Sequence, residues 1–389
     1  MVSISADVRK PHICFVSESR ATYGLLMGES CDVVGGAELQ QSLIASALQG
    51  LGYPVTFVVS DCGQPDKVAT DQGITLIKAR SCLEGVRGLN YISQILRLFR
   101  AMNKADADIY YQRIGGAGTG IVALFCKLKR KPFVFSVAHN TDLDPSKPYS
   151  KWRYNKLYHY GLTHAAVVVV QTEDQMRLLK EKWGREGILI RSIFADVDEA
   201  DRRRRRLHVL WVGNFKRMKR PEMFLNLAAS LPRYKFVMVG GRAASEKRLF
   251  DEIGANAENI PNLHLTGAVP YKEVGRYFSE AKVFVNTSSG EGFPNTYLQA
   301  WCRGVPVVGT FDADSLITRY GLGRHCSTVE ELVQAVDELM KDEALRASIG
   351  ERAIRYVGEH HSPQAVAAQY DKLFMQLCHQ GRGRSLSDE

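Results

Sequence analysis

The chain has 389 residues, of which 45% are hydrophobic and 24% are charged. A chain of this length usually forms about two or three domains, and the ordinary composition excludes a disordered chain, a fibrous repeat and a disulfide-stapled miniprotein. The 51 basic and 42 acidic side chains give a net charge of +9. This surplus favours an anionic partner, such as a nucleotide, a phosphorylated substrate or a membrane surface.

The cysteines and the apolar runs indicate the compartment. The eight cysteines are scattered, without a Cys-x-x-Cys pair or a zinc-like cluster, and are interpreted as reduced thiols. The first twelve residues lack the apolar core of a secretory signal. The longest nearly apolar run, Ala165–Val170, is far shorter than the roughly 20 residues that span a bilayer. A cytoplasmic location is expected, and peripheral contact with the inner membrane face is left open.

In the first half of the chain, short apolar segments alternate with longer amphipathic ones. This alternation is typical of βαβ units around a parallel sheet. The predicted strands are Ile13–Ser17, Val55–Ser60, Ile74–Ile77, Ile109–Gln112, Phe133–Val137, Ala166–Val170 and Ile188–Ile190. The predicted helices are Ala37–Gln49, Leu89–Asn103, Thr119–Leu128, Trp152–Tyr160 and Asp174–Trp183. Tyr111 and Arg113 end one of these strands on the side expected to face a cleft.

The segment from Ala195 to Arg206 is charged and lacks apolar periodicity, and it ends in five consecutive arginines. It is interpreted as a solvated linker at a domain boundary. The alternation then restarts, which predicts two doubly wound α/β domains over residues 1–195 and 207–362, with a ligand between the carboxyl edges of their sheets. The second set of strands is His208–Val212, Lys235–Val239, Leu263–Leu265, Val283–Val285 and Pro306–Val308. The second set of helices is Pro221–Ser230, Ser245–Ala257, Lys272–Ser279, Asn295–Arg303, Val329–Met340, Ala344–Glu359 and Pro363–Cys378.

Two glycine-containing segments precede predicted helices and could approach a ligand. Gly35 and Gly36 stand at a helix start, where backbone N–H groups attract anions, although a flexible loop end explains them equally well. A second strand ends at Gly213. The cations that follow it crowd the carboxyl end of the strand and suit a diphosphate, whereas a solvated basic loop is the alternative. These cations are Lys216, Arg217, Lys219 and Arg220.

The segment from Ser289 to Trp301 carries the most specific pattern in the chain. A strand leads into a small-residue loop with Glu291, and a helix is predicted to start near Asn295. The backbone N–H groups of Asn295 and Thr296 would point at an anion. Gln299 lies about one turn into the helix, so a carboxylate and an amide could together hydrogen-bond a sugar and a ribose.

Taken in order, these segments resemble the glycosyltransferases of family 4, GT-B fold enzymes that use a nucleotide-sugar donor. The resemblance rests on Gly35-Gly36-Ala37-Glu38, on His139 after a strand, on the loop from Gly213 to Lys219, and on Glu291 with Gln299. It implies two Rossmann-like domains that face each other across a cleft, an acceptor-binding one and a nucleotide-sugar-binding one. It also implies that a C-terminal helix over 363–380 packs back on the N-terminal domain.

The resemblance assigns roles to single positions. Glu291 matches the first Glu of the family's Glu-x7-Glu motif and would contact the donor sugar. Gln299 stands where the second Glu usually binds the ribose hydroxyls, and an amide can still donate and accept there. His139 matches the family's histidine near the donor sugar.

The basic loop departs from the family pattern at one position. Lys219 matches the phosphate-binding lysine. Asn214 stands where many members carry a partner arginine, so Lys216 or Arg217 would have to supply that charge.

No metal and no cofactor are expected. Asp-x-Asp occurs four times in the chain, including Asp312-Ala313-Asp314, and the metal-binding version of that pattern belongs to a different glycosyltransferase fold.

The expected function is retaining transfer of a sugar from a UDP- or GDP-sugar to a sugar or lipid-linked acceptor in glycan or polysaccharide synthesis. A non-catalytic nucleotide-sugar-binding module and a GT-B nucleotide-sugar epimerase are the alternatives. Nucleic-acid binding is not expected, because a single run of arginines in a linker is poorly suited to recognising a nucleic-acid groove.

Overall fold

The computed structural model of the chain describes residues 9–29, 34–79, 89–146, 152–195, 197–243 and 246–385. Two of the eight cysteines, Cys31 and Cys82, lie outside these ranges, as does Ser245, the first residue of a predicted helix. The described chain forms two α/β domains, each built on one largely parallel sheet.

The N-terminal sheet has eight strands in the order β3-β4-β2-β1-β5-β6-β7-β8, and only the pairing of β3 with β4 is antiparallel. Its strands are β1 (Ile13–Ser17), β2 (Val55–Ser60), β3 (Lys67–Ala69), β4 (Thr75–Ala79), β5 (Ile109–Arg113), β6 (Phe133–Ser136), β7 (Val167–Val170) and β8 (Ile188–Leu189). Its helices are α1 (Arg20–Met27), α2 (Gly36–Gly50), α3 (Leu89–Ala105), α4 (Ala117–Lys129), α5 (Trp152–His164) and α6 (Glu173–Trp183).

The C-terminal sheet has six parallel strands in the order β11-β10-β9-β12-β13-β14. Its strands are β9 (His208–Val212), β10 (Phe236–Val239), β11 (Leu263–Gly267), β12 (Ala281–Asn286), β13 (Val307–Gly309) and β14 (Gly323–His325). The remaining helices are α7 (Glu199–Arg202), α8 (Pro221–Ser230), α9 (Lys247–Ala257), α10 (Tyr271–Ser279), α11 (Asn295–Trp301), α12 (Leu316–Tyr320), α13 (Val329–Lys341), α14 (Glu343–His361) and α15 (Pro363–Ser385).

The strand order places a topological switch point in each domain. β1 pairs with β2 on one side and with β5 on the other. In the second domain β9 lies between β10 and β12. The loops that follow the two strands at a switch point diverge to opposite faces of the sheet and leave a crevice at its carboxyl edge. The basic loop follows β9 and the Glu291 loop follows β12, so the fold itself brings these two predicted segments together.

The arginine-rich linker between the domains is less exposed than its sequence indicates. In the linker, Arg203, Arg204 and Arg205 are exposed. Arg202 Nε, however, donates to the Cys302 carbonyl (2.9 Å), and Arg206 donates to the Gly304 carbonyl (2.7 Å). The prediction of a fully solvated arginine run is therefore wrong at its two ends, because these side chains close off backbone carbonyls of the C-terminal domain.

The last helix, α15, follows the C-terminal domain in the chain but belongs to the core of the N-terminal one. Val366, Tyr370 and Phe374 are buried in the same apolar cluster as Phe15 and Tyr111. The Tyr370 hydroxyl lies 3.2 Å from that of Tyr111. Tyr111, expected at the cleft, is thus a core residue. None of the described helices is long and apolar enough to cross a membrane.

Candidate active site

A cavity of about 370 Å³ lies between the carboxyl edges of the two sheets, with walls from both domains. The described structure brings ten sequence-predicted site residues to its lining. They are Gly35, Gly36, His139, Gly213, Lys216, Lys219, Glu291, Asn295, Thr296 and Gln299.

Two of the predicted cations, Arg217 and Arg220, are not part of the cavity lining. The Arg217 side chain is exposed, and its backbone N–H donates to Glu246 Oε2 (2.8 Å). A 3₁₀ turn over Arg217–Lys219 rotates successive side chains by about a third of a turn each, so Lys219 faces the cavity and Arg217 faces solvent. Asn214 lines the cavity, which leaves Lys216 as the cation available beside it.

Lys219 and Glu291 form an ion pair at the C-terminal wall of the cavity. The side chains are 23% and 12% exposed, respectively. Ser288 Oγ donates a second hydrogen bond to the same carboxylate oxygen, Oε1 (2.7 Å). The carboxylate is thereby held in one orientation, and the lysine ammonium retains two further N–H donors for another acceptor.

Arg220 holds the basic loop against the Glu291 loop. Its guanidinium donates to the Thr287 carbonyl (2.7 Å) and to Thr310 Oγ1 (2.7 Å), while Thr287 Oγ1 donates to the Lys219 carbonyl (2.6 Å). Arg220 has a φ of +44°, in the left-handed region, immediately before Pro221 starts α8. This arginine therefore positions the loop that carries Lys219.

His139 follows β6 on the opposite, N-terminal wall. Its Nδ1 accepts a hydrogen bond from the Thr141 N–H (3.1 Å). The proton of a neutral imidazole then stands on Nε2. Asp142 Oδ2 accepts from the N–H groups of Ala138 and His139, both at 3.0 Å, which fixes the backbone that presents the ring.

Asn295 connects the two domains through its side chain. Its Nδ2 donates to the Gly36 carbonyl (2.9 Å), and its Oδ1 accepts from Gln40 Nε2 (3.0 Å). Gln40 is fully buried and also pairs with the backbone of Ile193. The start of α11 is thus tied to the start of α2. Gln299, one turn later on α11, is 7% exposed and contributes to the cavity wall.

Gly292 marks the closest approach of the Glu291 loop to the N-terminal domain. A Cβ on this residue would lie 2.2 Å from the Ala138 carbonyl oxygen and 2.8 Å from Gln171 Nε2. Any larger side chain would push the two walls apart. The requirement for glycine here comes from packing between domains, which no local sequence pattern reveals.

Both carboxylates of the Asp312-Ala313-Asp314 segment accept hydrogen bonds from the N-termini of helices. Asp312 caps α12, with its oxygens accepting from Ile317 N (2.7 Å) and Thr318 N (3.1 Å). Asp314 accepts from the N–H groups of residues 173 (2.9 Å) and 174 (3.1 Å), and so caps α6 of the other domain. In the part of the chain that the structure describes, no group of three or more His, Cys, Asp or Glu residues could hold a metal ion.

Comparison with known proteins identifies the architecture. Residues 35–190 match the glycosyl transferase 4-like domain, and residues 195–356 match the glycosyl transferases of group 1. The alpha-monoglucosyldiacylglycerol synthase of Acholeplasma laidlawii is 24% identical over 158 residues, which are 40% of this chain and 39% of that enzyme. The alignment therefore spans less than half of that relative.

Solved structures match over almost the whole chain. Sucrose-phosphate synthase from Thermosynechococcus elongatus has a TM-score of 0.75 at 18% identity, covering 95% of this chain and 99% of the other. HepE from Anabaena, in complex with UDP and glucose, has a TM-score of 0.73 at 14% identity, covering 94% and 99%. These matches confirm the GT-B fold, and with the two family matches they show that the chain is a glycosyltransferase belonging to group 1, family 4.

Proposed function

We propose that this glycosyltransferase moves a glycosyl unit from a UDP- or GDP-sugar to a sugar or lipid-linked acceptor, with retention of anomeric configuration and without a metal. The observation that carries the proposal is the Lys219–Glu291 pair on one wall of the cavity between the domains, with His139 on the other. A role in glycan or polysaccharide synthesis fits such a donor and acceptor.

The donor would lie along the C-terminal wall. Gln299 would hydrogen-bond the ribose, Lys219 and Lys216 would face the diphosphate, and Glu291 would contact the sugar hydroxyls. The Anabaena neighbour, which binds UDP and glucose, supports a donor of this class.

The chemistry would rest on positioning and on charge. As the glycosidic bond breaks, the leaving diphosphate gains negative charge, which a lysine ammonium in a water-poor cleft stabilises strongly. Among the described residues of the cavity lining, Glu291 is the sole carboxylate, and it is paired with Lys219. Front-face attack, in which the leaving phosphate takes the acceptor proton, therefore explains retention better than a protein nucleophile does.

A panel of nucleotide sugars tests the donor assignment. At 100 times its dissociation constant, the correct donor should stabilise the chain by about 2.7 kcal/mol in a thermal-shift assay. Glu291→Ala should abolish transfer while the chain remains folded. The assignment is wrong if no UDP- or GDP-sugar stabilises the chain, or if the folded variant turns over normally.

Chelation tests the metal assignment. We expect transfer to continue in EDTA, because the cleft cations supply the charge that a metal would otherwise bring. Loss of activity in EDTA, with recovery on adding Mn²⁺ or Mg²⁺, would reverse this assignment.

We also propose that helix α3 makes peripheral contact with an anionic membrane surface. Ile92 (56% exposed), Leu96 (49% exposed) and the exposed Arg100 follow one another at intervals of four residues, so they share one face of the helix. Ile92→Ser with Leu96→Ser should reduce co-flotation with anionic lipid vesicles. Equal flotation of variant and wild type, or none by either, would refute this contact.

A further inference from the structure

Arg113 places a buried positive charge on the N-terminal wall of the cavity. It ends β5, the strand at the switch point of the first sheet, and its side chain contributes to the cavity lining. The residue is only 6% exposed. Buried arginines in proteins are normally paired with a carboxylate or another anion, because an isolated charge is costly to remove from water.

Among the described residues, the hydrogen-bond partners of the Arg113 guanidinium are all neutral. One terminal nitrogen donates to Ser136 Oγ (3.2 Å), and the other donates to Gln171 Oε1 (2.7 Å). Nε is buried and has no hydrogen-bond partner in the part of the chain that the structure describes. No carboxylate of the described residues forms an ion pair with Arg113. The neutral groups orient the guanidinium but leave its charge uncompensated.

The hydrogen bonds of Gln171 place this charge close to the proposed reaction centre. Its Nε2 donates to the Ala138 carbonyl (2.8 Å), the atom against which Gly292 packs. Arg113 is thus one side chain away from the contact between the His139 segment and the Glu291 loop. Ser192 Oγ also donates to Gln171 Oε1 (2.7 Å), so the amide is held from two sides.

We propose that Arg113 forms a subsite for an anionic group, a carboxylate or a phosphate, carried by the acceptor. The inference rests on the proposed function and adds the class of acceptor. Lys219 and Lys216 are the cations that the described residues contribute to the C-terminal wall, where the donor diphosphate would lie. The cation on the N-terminal wall is therefore assigned to the acceptor. Guanidinium binds both anions through two parallel hydrogen bonds.

The test uses the full chain saturated with UDP or GDP, whichever binds, so that the diphosphate position is occupied. Inorganic phosphate, acetate and neutral glycerol are titrated into the wild type, Arg113→Met, Arg113→Lys and the matched control Arg177→Met by calorimetry. Arg177 lies on the exposed surface of α6 in the same domain. The phosphate and acetate arms distinguish the two kinds of anion.

We expect at least one anion to bind the wild type and the control equally, and Arg113→Met at least about tenfold more weakly, as expected for a lost charge-assisted hydrogen bond. Arg113→Lys should bind it with an affinity between those of the wild type and Arg113→Met, since it keeps the charge but cannot form both parallel hydrogen bonds. Glycerol should not discriminate among the four chains.

Three results would overturn the proposal. The first is that neither anion binds the nucleotide-saturated wild type. The second is that Arg113→Met changes the melting temperature but not the anion affinity, which would make Arg113 a support for Gln171. The third is that Arg113→Met weakens the binding of UDP-glucuronate but not the binding of UDP-glucose, which would assign the anion to the donor. A wild-type chain that binds neither UDP nor GDP would instead refute the proposed function.

Discussion

Lys219 and Glu291 are partly buried, and each side chain neutralises the charge of the other. Lys219 therefore differs from an ordinary loop lysine, whose charge is solvated. In Lys219→Ala the Glu291 carboxylate keeps Ser288 but loses its cation. We expect turnover to fall about 100-fold, by analogy with the loss of one oxyanion donor. We also expect the free energy of unfolding to fall by about 1–3 kcal/mol, because a buried acceptor loses its charged partner.

A double variant separates the two effects. Lys219→Met with Glu291→Gln removes both charges, so the unfolding free energy should recover while turnover stays low. Steady-state kinetics and denaturant melts of the single and double variants provide the measurement. Normal turnover in Lys219→Ala would show that another cation faces the diphosphate, with Lys216 as the first candidate.

His361 makes stability depend on pH. It is fully buried at the end of α14, its Nδ1–H donates to the Ser192 carbonyl (2.6 Å), and its ring stacks on Phe293 of the Glu291 loop. Burial lowers the pKa of this imidazole to about 3 from its ordinary 6.5. Between pH 3 and pH 6.5 the His361 imidazole is therefore protonated in the unfolded chain but neutral in the folded chain. His361 therefore reduces the unfolding free energy as pH falls, by up to about 1.4 kcal/mol per pH unit.

The measurement compares the pH dependence of unfolding in wild type, His361→Gln and His264→Gln, the last an exposed position in the same domain. From pH 6.5 to pH 4.5 the His361 variant should lose stability less steeply than the other two chains. Parallel slopes in all three would mean that His361 becomes protonated in the folded chain.

At the scale of elements, hydrophobic patterning predicts the central strands and the helices that cover them. The strands β1, β2 and β9 have the predicted bounds, because buried strands in a parallel sheet are continuous apolar runs. The helix α8 also has the predicted bounds, and it begins at Pro221, a residue suited to the first helical position. The pattern misses β3, an exposed edge strand of three residues, and β14, which contains a glycine and two polar residues. Both strands are too short to show a hydrophobic period, and each forms because a neighbouring strand pairs with it.

The Glu291 loop allows a matched glycine experiment. Gly292→Ala places a Cβ 2.2 Å from the Ala138 carbonyl, whereas a Cβ at Gly290 would meet nothing within 4 Å. Gly292→Ala should hold the domains apart and reduce turnover by about 100-fold, since misplacement of a catalytic group by about 1 Å has that effect. Nucleotide affinity should change much less, because the substitution leaves Lys216, Lys219 and Gln299 in place.

Gly290→Ala is the control, with expected turnover near that of the wild type. The relevant measurements are kcat for transfer and nucleotide affinity by calorimetry. Equal turnover in the two alanine variants would show that the loop adapts, and that the contact at Ala138 is not required for catalysis.

At the scale of the whole molecule, the residues that set the spacing of the domains could not be predicted from sequence. The sequence predicts that the backbone N–H of Asn295 points at an anion, but it does not reveal that the Asn295 side chain connects α11 to Gly36. Asp314, noted as half of a common metal-like pattern, caps α6 of the opposite domain. These contacts join residues more than a hundred positions apart, and no local pattern records such a pairing. The chemical groups of the cleft were predictable because each follows a strand at the carboxyl edge.

The return of α15 to the N-terminal domain makes that domain depend on the last segment of the chain. Phe374 is fully buried beside Tyr53 and Tyr370. Phe374→Ala should reduce the stability of the N-terminal domain by about 3–5 kcal/mol, the usual cost of truncating a buried aromatic ring. Gln369→Ala, on the exposed face of the same helix, should have little effect.

Thermal unfolding with and without saturating nucleotide separates the two domains, since a ligand of the C-terminal domain raises the unfolding temperature of that domain alone. We expect Phe374→Ala to lower the transition that the nucleotide does not protect. If the nucleotide-sensitive transition fell instead, α15 would stabilise mainly the domain that precedes it in the chain.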